Sequence, residues 1–578
     1  MLENIKQQII ELVRRATEVE ISLDELKTPP DPKMGDLSLA CFGLAKILKQ
    51  APNEVAKKLA EAFGHELKAT SDKRQGISRA VAAGPYLNFF VDQKSIVVDT
   101  LKNISKQKKK YGQSQVGKGE TIMVEYSGPN PGKGFHIGHL RNTVLGIAII
   151  NLLRNAGYKI IPVNYLNDTG THIAKVIWIY KKYYLGQEPK ANRGEWLGNL
   201  YAEVEEKLQA NPEIKNEISQ IHRQLEEKDK TIMAIRKKIN TWSLDDFNKI
   251  YKQLGAEFKK IYWDHDYYNQ GKKIVAELEK KGIAEKSDGA VIVNLEKYNL
   301  ATLVVLKSDG TALYITKDIA MAKERFEKQN PDKMIYVVGN EQALHFRQLF
   351  KILDLYGFRQ AKDCYHLSYE LVRLKEGKMS SRAGNVILYQ KLYEQALAKS
   401  LTEMKERHPD WAEKKNKLTA EKISLAALKF GMLKQGTNEI ITFDLDEALE
   451  FQGFTGPYLL YTVARINSIF NKIKDLRLKL KVKKVDYSLL KEQSEVNLVK
   501  KLGEFPEVIA EIVKSNEPAH LARYLFELAQ EFNTLYHELP ILKAEAGVRE
   551  ARLELINMVN MVLERGLGLL GIETLEEM

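Results

Sequence analysis

The sequence predicts an α/β chain: a doubly wound parallel sheet interrupted by an insertion, with a small α/β domain before it and an all-α bundle after it. Three observations carry this. Residues 121–126 and 159–166 read as strands around a helical stretch over 139–155, a parallel strand, helix, strand unit. From about 185 to 295 the composition turns rich in Glu and Lys, with long helical patterns over 201–255, which marks an insertion. Beyond about 400 the pattern is helical, and Leu521, Tyr524, Leu525, Leu528, Phe532 and Leu535 fall on one helix face, as a bundle core requires.

Taken in order, residues 1–115 alternate helical and strand-like patterns, broken by Pro29, Pro30 and Pro32, and form the small first domain. The polar run 106–112 with Gly117 and Gly119 marks its end. A Gly/Pro-rich loop through Gly134 follows the first sheet strand, and strands resume at 301–307, 334–338 and 364–372, so the sheet domain spans 116–395. Residues 396–450 read as a linker region and 451–578 as the helical bundle.

At 578 residues the chain exceeds a peptide hormone or single binding module, and its net charge of +12 favours a polyanionic partner or substrate. The two cysteines, Cys41 and Cys364, belong to no C-x-x-C pair or Cys/His cluster, which disfavours disulfide scaffolds and a protein-bound metal. No run of about 18 apolar residues occurs, and the first residues lack an unbroken apolar stretch. The expectation is a cytoplasmic chain without membrane attachment.

Two motifs carry chemistry. His136-Ile137-Gly138-His139 lies where the Gly/Pro loop enters a helix. With 11 His and 36 Gly, H-x-G-H arises by chance in only about one such chain in a hundred. A strand-to-helix turn offers free N–H groups and the positive end of a helix dipole to phosphate, Gly138 permits close approach of a flat base, and two imidazoles can hydrogen-bond a pentacovalent phosphorus. Against this stands the reading of two histidines that merely cap a helix. Some 240 residues later, Lys378-Met379-Ser380-Ser381-Arg382 follows Glu376-Gly377, a loop able to donate charge-assisted hydrogen bonds to a triphosphate. Alone it is weak, and with the first motif it is strong.

Both motifs, in this order around an interrupted sheet domain, resemble the class I aminoacyl-tRNA synthetases, and the string from Glu125 through Gly134 to Arg141 is similar to the arginyl-tRNA synthetases. Residues 164–173, 309–318, 341–346 and 456–466 agree, as do Gly35-Asp36, Leu44-Ala45-Lys46 and Val55-Ala56. The resemblance implies a Rossmann-type catalytic domain, an N-terminal tRNA-contacting domain, a stem-contacting role for 396–450 and a C-terminal anticodon-binding bundle. It implies that Glu125, Asn130, Tyr314, Asp318 and Gln342 bind arginine, that Gly134, His136, Gly138, His139, Lys378, Met379, Ser380 and Ser381 bind ATP, and that His136, His139, Lys133 and Lys378 are catalytic. The chemistry suits the assignment. A guanidinium presents five donors in a planar fork, which two carboxylates with amide and phenol acceptors can fill and lysine cannot.

The sequence departs from the class pattern at Ser381, where a second lysine is usual; Lys133, just before the first motif, is the expected replacement. Residues 167–172 keep a Gly-Thr pair but lack the aromatic that usually precedes it. The implied reaction activates arginine with ATP, with Mg²⁺ accompanying the phosphates, then transfers it to the 3′-terminal adenosine of tRNA(Arg) through the 2′ hydroxyl, releasing AMP and pyrophosphate. The family requires tRNA for the first step, and a monomer is expected. Lys472, Lys474, Arg477, Lys479, Lys481, Lys483 and Lys484 form a basic run suited to an RNA backbone or to a solvated linker. Trp411, Phe454, Tyr458 and Tyr461 are candidates for stacking on bases, with core packing the commoner fate. Glutamyl, lysyl or cysteinyl synthetases are the nearest competitors, disfavoured by the acidic pocket and the scarcity of cysteine. An idle RNA-binding paralogue is disfavoured by the intact motifs, and a nucleotidylyltransferase by the helical C-terminal third.

Overall fold

The computed structural model describes residues 2–69, 76–308, 313–375, 387–475 and 485–578. The chain divides into two units. One comprises Met1–Gly112, Arg465–Val508 and Phe526–Arg565, and the other Gln113–Ala464, Ile509–Leu525 and Gly566–Met578.

The second unit holds a five-stranded, all-parallel sheet, in the spatial order Cys364–Tyr369, Lys333–Gly339, Thr121–Glu125, Lys159–Leu166 and Lys260–Trp263. Numbered along the chain this is the order 3-2-1-4-5 of a dinucleotide-type sheet, and the direction of winding reverses between Thr121–Glu125 and Lys333–Gly339. Ligands of such sheets bind beyond the carboxyl ends of the strands at that reversal, where Glu125 ends its strand. Helix Ile137–Asn155 crosses over from the first strand to the second and is buried on nearly every side. Its sequence is apolar all round, as a central helix demands. At Gly146 the ring of Tyr126 lies against the helix backbone, so that an added Cβ would stand 2.2 Å from it.

The insertion lies between the second and third strands. Helices Arg193–Ala210, Ile214–Glu226 and Lys230–Leu254 build a core of their own with helix Thr171–Tyr183, through Ile173, Ile177, Leu200, Ile221, Ile239 and Trp242. Each such fully buried side chain contributes roughly 1.5–3 kcal/mol. The excursion expected to last until about 295 ends sooner, because Lys260–Trp263 is already the third parallel strand, Val163 pairing with Lys260. A small antiparallel sheet then follows, Glu285–Ser287, Ala290–Val293 and Leu303–Leu306. The strand expected at 301–307 therefore belongs to this sheet and not to the parallel one.

The region expected as a linker, 396–450, is packed structure. Helices Tyr389–Arg407 and Glu413–Leu433 are joined through Ser424 Oγ donating to Ser400 Oγ at 3.0 Å, and strand Ile441–Phe443 pairs in parallel with Val372–Leu374. Residues 566–578 return to this unit. Lys429 Nζ donates to the Gly571 carbonyl at 2.5 Å, Lys422 Nζ to the Thr574 carbonyl at 3.2 Å, and an added Cβ at Gly571 would meet Ile147 at 2.7 Å.

In the first unit, the antiparallel strands Leu26–Lys27, Leu37–Ala40, Tyr86–Val91 and Ile77–Ala83 stand in that spatial order. Asp36 accepts from the Val91 N–H at 2.8 Å and pairs with Lys500, while Tyr111 donates to the Leu502 carbonyl at 2.9 Å. The N-terminal sheet is thus joined to residues 493–508 within this unit. The basic residues 477–484 lie outside the described residues.

Candidate active site

Strand Thr121–Glu125 ends in a sharp turn. Ser127 has φ 77° and Gly128 φ 56°, both in the left-handed region. The turn is held by side chains: Ser127 N–H donates to Asn142 Oδ1 at 2.5 Å and Gly128 N–H to Asn164 Oδ1 at 3.0 Å. Asn142 in turn donates to the Val337 carbonyl at 2.7 Å, so one buried amide bridges the two strands between which the sheet reverses.

The loop then delivers His136 as the N-cap of helix Ile137–Asn155. His136 Nδ1 accepts from the Gly138 N–H at 3.1 Å and the His139 N–H at 3.4 Å, and His139 Nδ1 accepts from the His136 N–H at 3.3 Å. The rings stack with centroids 3.6 Å apart. Burial lowers the His136 pKa to about 4 and that of His139 well below the ordinary value, with Lys133 adding to both. Each ring is therefore neutral, and an accepting Nδ1 places its proton on Nε2. The capping and functional readings of the motif are compatible: the cap fixes two Nε2–H donors beside a helix N-terminus.

Segment 387–389 lies directly on this motif. Leu388 forms an antiparallel bridge with His136, the Tyr389 N–H donates to the Phe135 carbonyl at 2.8 Å, and the Ile137 N–H to the Ile387 carbonyl at 3.2 Å. Gly134 passes beneath Leu388, where an added Cβ would stand 2.3 Å from Cδ2. The other flank of the second motif is tied to the same helix by Arg141, only 1% exposed, which donates to the carbonyls of Glu370, Leu371, Gly436, Thr437 and Glu439. Lys378, Met379, Ser380 and Ser381 themselves lie outside the described residues.

Glu125, Asn130, Tyr314, Asp318 and Gln342, expected from three separate stretches of sequence, line one cavity of about 850 Å³ together with His136, Gly138 and His139. Glu125 sits at the strand end and Asn130 in the Gly/Pro loop. Tyr314 and Asp318 share one face of helix Tyr314–Gln329, and Gln342 closes the short 3₁₀ turn Asn340–Gln342. Asp318 Oδ2 lies 2.8 Å from His345 Nε2; burial works against charging that histidine, but the bond and charge of Asp318 outweigh it and raise its pKa. Glu125 is buried, and burial raises its pKa, with Asp318 adding to the rise and Arg325 opposing it.

Lys133 and Gly134 do not line the cavity. The Lys133 ammonium lies 4.6 Å from the Tyr201 ring centre, toward the insertion, and burial lowers its pKa. Its charge still reaches His136, His139 and His172. Of the aromatic candidates for base stacking, Phe454 packs edge-on against Phe430 at 5.2 Å, and Trp411 stacks on His408 at 3.9 Å.

Sequence reasoning passed over the polar residues that hold the site in shape. Asp264, fully buried, accepts from Tyr165 Oη at 2.6 Å, from Thr169 Oγ1, and from Lys317 Nζ at 2.5 Å. It thereby joins the second sheet strand and the loop after it to the helix of Tyr314 and Asp318. Arg141, Asn142, Arg325 and His345 were passed over as well. The available signal was a charged residue inside an apolar stretch, as with Arg141 in L-R-N-T-V-L. Among the described residues, no three His, Cys, Asp or Glu side chains form a group that could hold a metal ion, and no helix is long and apolar enough to cross a membrane.

Comparison with known proteins agrees with this geometry. A family profile for the catalytic domain of class I (R) tRNA synthetases matches residues 100–445, one for the DALR anticodon binding domain matches 459–578, and one for the arginyl tRNA synthetase N-terminal domain matches 2–91. The arginine–tRNA ligase of Halothermothrix orenii is 36% identical over 580 residues, covering 100% of both chains, and that of Clostridium perfringens is 36% identical over 99% of this chain and 100% of its own. The solved arginyl-tRNA synthetase of Thermus thermophilus superposes with a TM-score of 0.82 at 25% identity, covering 99% of this chain and 100% of that one. The chain belongs to the arginyl-tRNA synthetase family of class I aminoacyl-tRNA synthetases.

Proposed function

We propose the following division of labour for the family's reaction, the ATP-dependent ligation of arginine to tRNA. Glu125 and Asp318 accept from the guanidinium, Tyr314 packs along it, and Asn130 and Gln342 hold the α-amino and carboxylate end. The arginine carboxylate attacks the α-phosphorus of ATP, which arrives with Mg²⁺ on its phosphates, and pyrophosphate leaves. The Nε2–H donors of His136 and His139 meet the phosphate charge as it develops, and Lys133 adds positive potential from the insertion side. Lys378, with Met379, Ser380 and Ser381, covers the triphosphate. No side-chain nucleophile takes part, since alignment and electrostatics suffice. The 2′ hydroxyl of the terminal adenosine of tRNA(Arg) then attacks the adenylate and AMP leaves. Residues 1–115 and 396–450 contact the tRNA body, 451–578 its anticodon, and the enzyme acts as a cytoplasmic monomer.

The convergence of five side chains suited to the two ends of arginine and two capping histidines on one cavity carries this reading. Aminoacylation of total tRNA with each of the twenty amino acids tests it, and charging by any amino acid other than arginine overturns the pocket assignment. Asp318→Asn is expected to lower kcat/KM for arginine by about a hundredfold, the equivalent of roughly 2.7 kcal/mol. An unchanged value removes Asp318 from the pocket. Pyrophosphate exchange at full rate without tRNA overturns the coupling of activation to tRNA binding.

A further inference from the structure

Beside the proposed arginine pocket stands a guanidinium that belongs to the chain itself. Arg325 lies on helix Tyr314–Gln329, two turns after Asp318, and is fully buried. Its Nη2 is 2.5 Å from Glu125 Oε2 and 3.1 Å from Met321 Sδ, and its planar group lies 4.3 Å from the Tyr262 ring centre. Among the described residues, its Nε and Nη1 make no well-formed hydrogen bond, and the Tyr336 phenol is its other polar neighbour. A buried guanidinium with one carboxylate and two unfilled donors is a poor stabiliser, because apolar groups in place of such a pair leave a fold equally or more stable. Fold stability therefore does not account for Arg325. Its position against Glu125 does.

We propose that Arg325 is a positioning residue for arginine recognition: it keeps Glu125 ionised and engages one carboxylate oxygen, so that the other is presented to the guanidinium of the bound amino acid. This rests on the reading of Glu125 as an arginine ligand. The titratable groups facing the pair are Asp318 from the same helix, Tyr165, Tyr262 and Tyr336 from the sheet, Tyr267 from the 3₁₀ turn after Trp263, and Cys364 at the edge strand. Burial pushes Tyr165, Tyr267, Tyr336 and Cys364 further toward their neutral forms. Burial and Asp318 both drive Glu125 toward its protonated form, and Arg325 is the charge that opposes them. A protonated Glu125 would present a donor where a guanidinium needs an acceptor. With arginine bound, two guanidiniums face two carboxylates.

Steady-state exchange kinetics with tRNA bound test this on the whole enzyme. Arg325→Met is expected to raise the KM for arginine by about tenfold or more at neutral pH, with the KM for ATP unchanged, because about 1.4 kcal/mol of arginine binding is lost. The arginine KM should then fall back toward the wild-type value as pH is raised, because burial with no cation beside it shifts the ionisation of Glu125 upward. Arg325→Gln, which keeps a hydrogen-bond donor but no charge, should show the same recovery and serves where the methionine variant does not fold. Glu125→Gln should raise the arginine KM without recovery, and so should Glu125→Gln combined with Arg325→Met.

An unchanged arginine KM in both Arg325 variants, or a raised KM that does not recover with pH, overturns the proposal. Recovery that persists in the double variant also overturns it, since the titrating group is then not Glu125. An unchanged arginine KM in Glu125→Gln instead overturns the pocket reading beneath it.

Discussion

Arg141 Nη1 donates to the Glu370 carbonyl at 2.7 Å, joining the helix that begins at His136 to the strand that leads into the second motif. The same side chain reaches Gly436, Thr437 and Glu439, and burial lowers its pKa to about 10. This side chain thus ties the helix of the first motif to the strand that precedes the second. Replacement by methionine leaves several buried carbonyls without a donor, each costing about 1–3 kcal/mol. Arg141→Met is expected to lose stability in urea denaturation by several times the cost of a surface substitution. Arg141→Lys, with a shorter reach, should fold but exchange pyrophosphate at least about tenfold more slowly. A lysine variant with full exchange activity would remove Arg141 from the positioning role.

The capping histidines make stability depend on pH. The pKa of His136 and of His172 is held at about 4 by burial, against about 6.5 for an unfolded histidine. Both states are neutral above the unfolded value. As pH falls from there toward 4, the unfolded chain takes up protons that the folded chain refuses, and stability drops, by up to roughly 3 kcal/mol per histidine. Denaturation midpoints measured between pH 7 and 4 should fall steadily, and less so in His136→Asn. The asparagine keeps the cap but not the Nε2–H, so its exchange rate should drop about a hundredfold or more.

Asp264 and Lys317 test whether the pocket depends on the polar network behind it. Asp264→Ala strands Lys317 as a buried, unpaired cation, an expected cost of about 3–5 kcal/mol, and Asp264→Ala with Lys317→Met should recover most of it. Both variants release Tyr165, and the double variant, which also lacks the Lys317 bond, releases Thr169 as well. The stable double variant should therefore still bind arginine more weakly, with the KM for ATP less affected. A double variant with wild-type arginine KM would make the network purely structural.

Gly134 leaves no room for a side chain beneath Leu388. Gly134→Ala is expected to push residues 387–389 off the first motif and lower activity, and Leu388→Ala in the same chain to restore it in part. Absence of rescue would place the damage elsewhere.

The sheet strands 121–125 and 159–166 were legible because β-branched and apolar residues dominate each and a turn signal bounds it. Lys260–Trp263 was not. Four residues at a sheet edge, following a long helix, carry too little pattern to separate them from the insertion. The helices after 389 read as a linker because they are rich in Lys and Glu, and the packed face that runs through Ala420, Ile423, Ala427 and Phe430 is built largely of small residues. The pocket side chains were found through their likeness to a family. Their supports, Arg141, Asp264 and Arg325, are charged residues whose burial depends on partners more than 50 residues away, and no local pattern announces a long-range partner.

The return of residues 566–578 to the unit that carries the catalytic cavity has a consequence for synthesis. Helix Ile137–Asn155 and helix Glu413–Leu433 are finished by contacts from Gly568, Gly571 and Thr574, some 150 to 430 positions further along the chain. A sheet of sequential strands can assemble as it emerges from the ribosome, but this flank cannot close until Gly568, Gly571 and Thr574 have followed. A nascent chain that has not yet reached residue 568 therefore carries a catalytic unit still open at one flank.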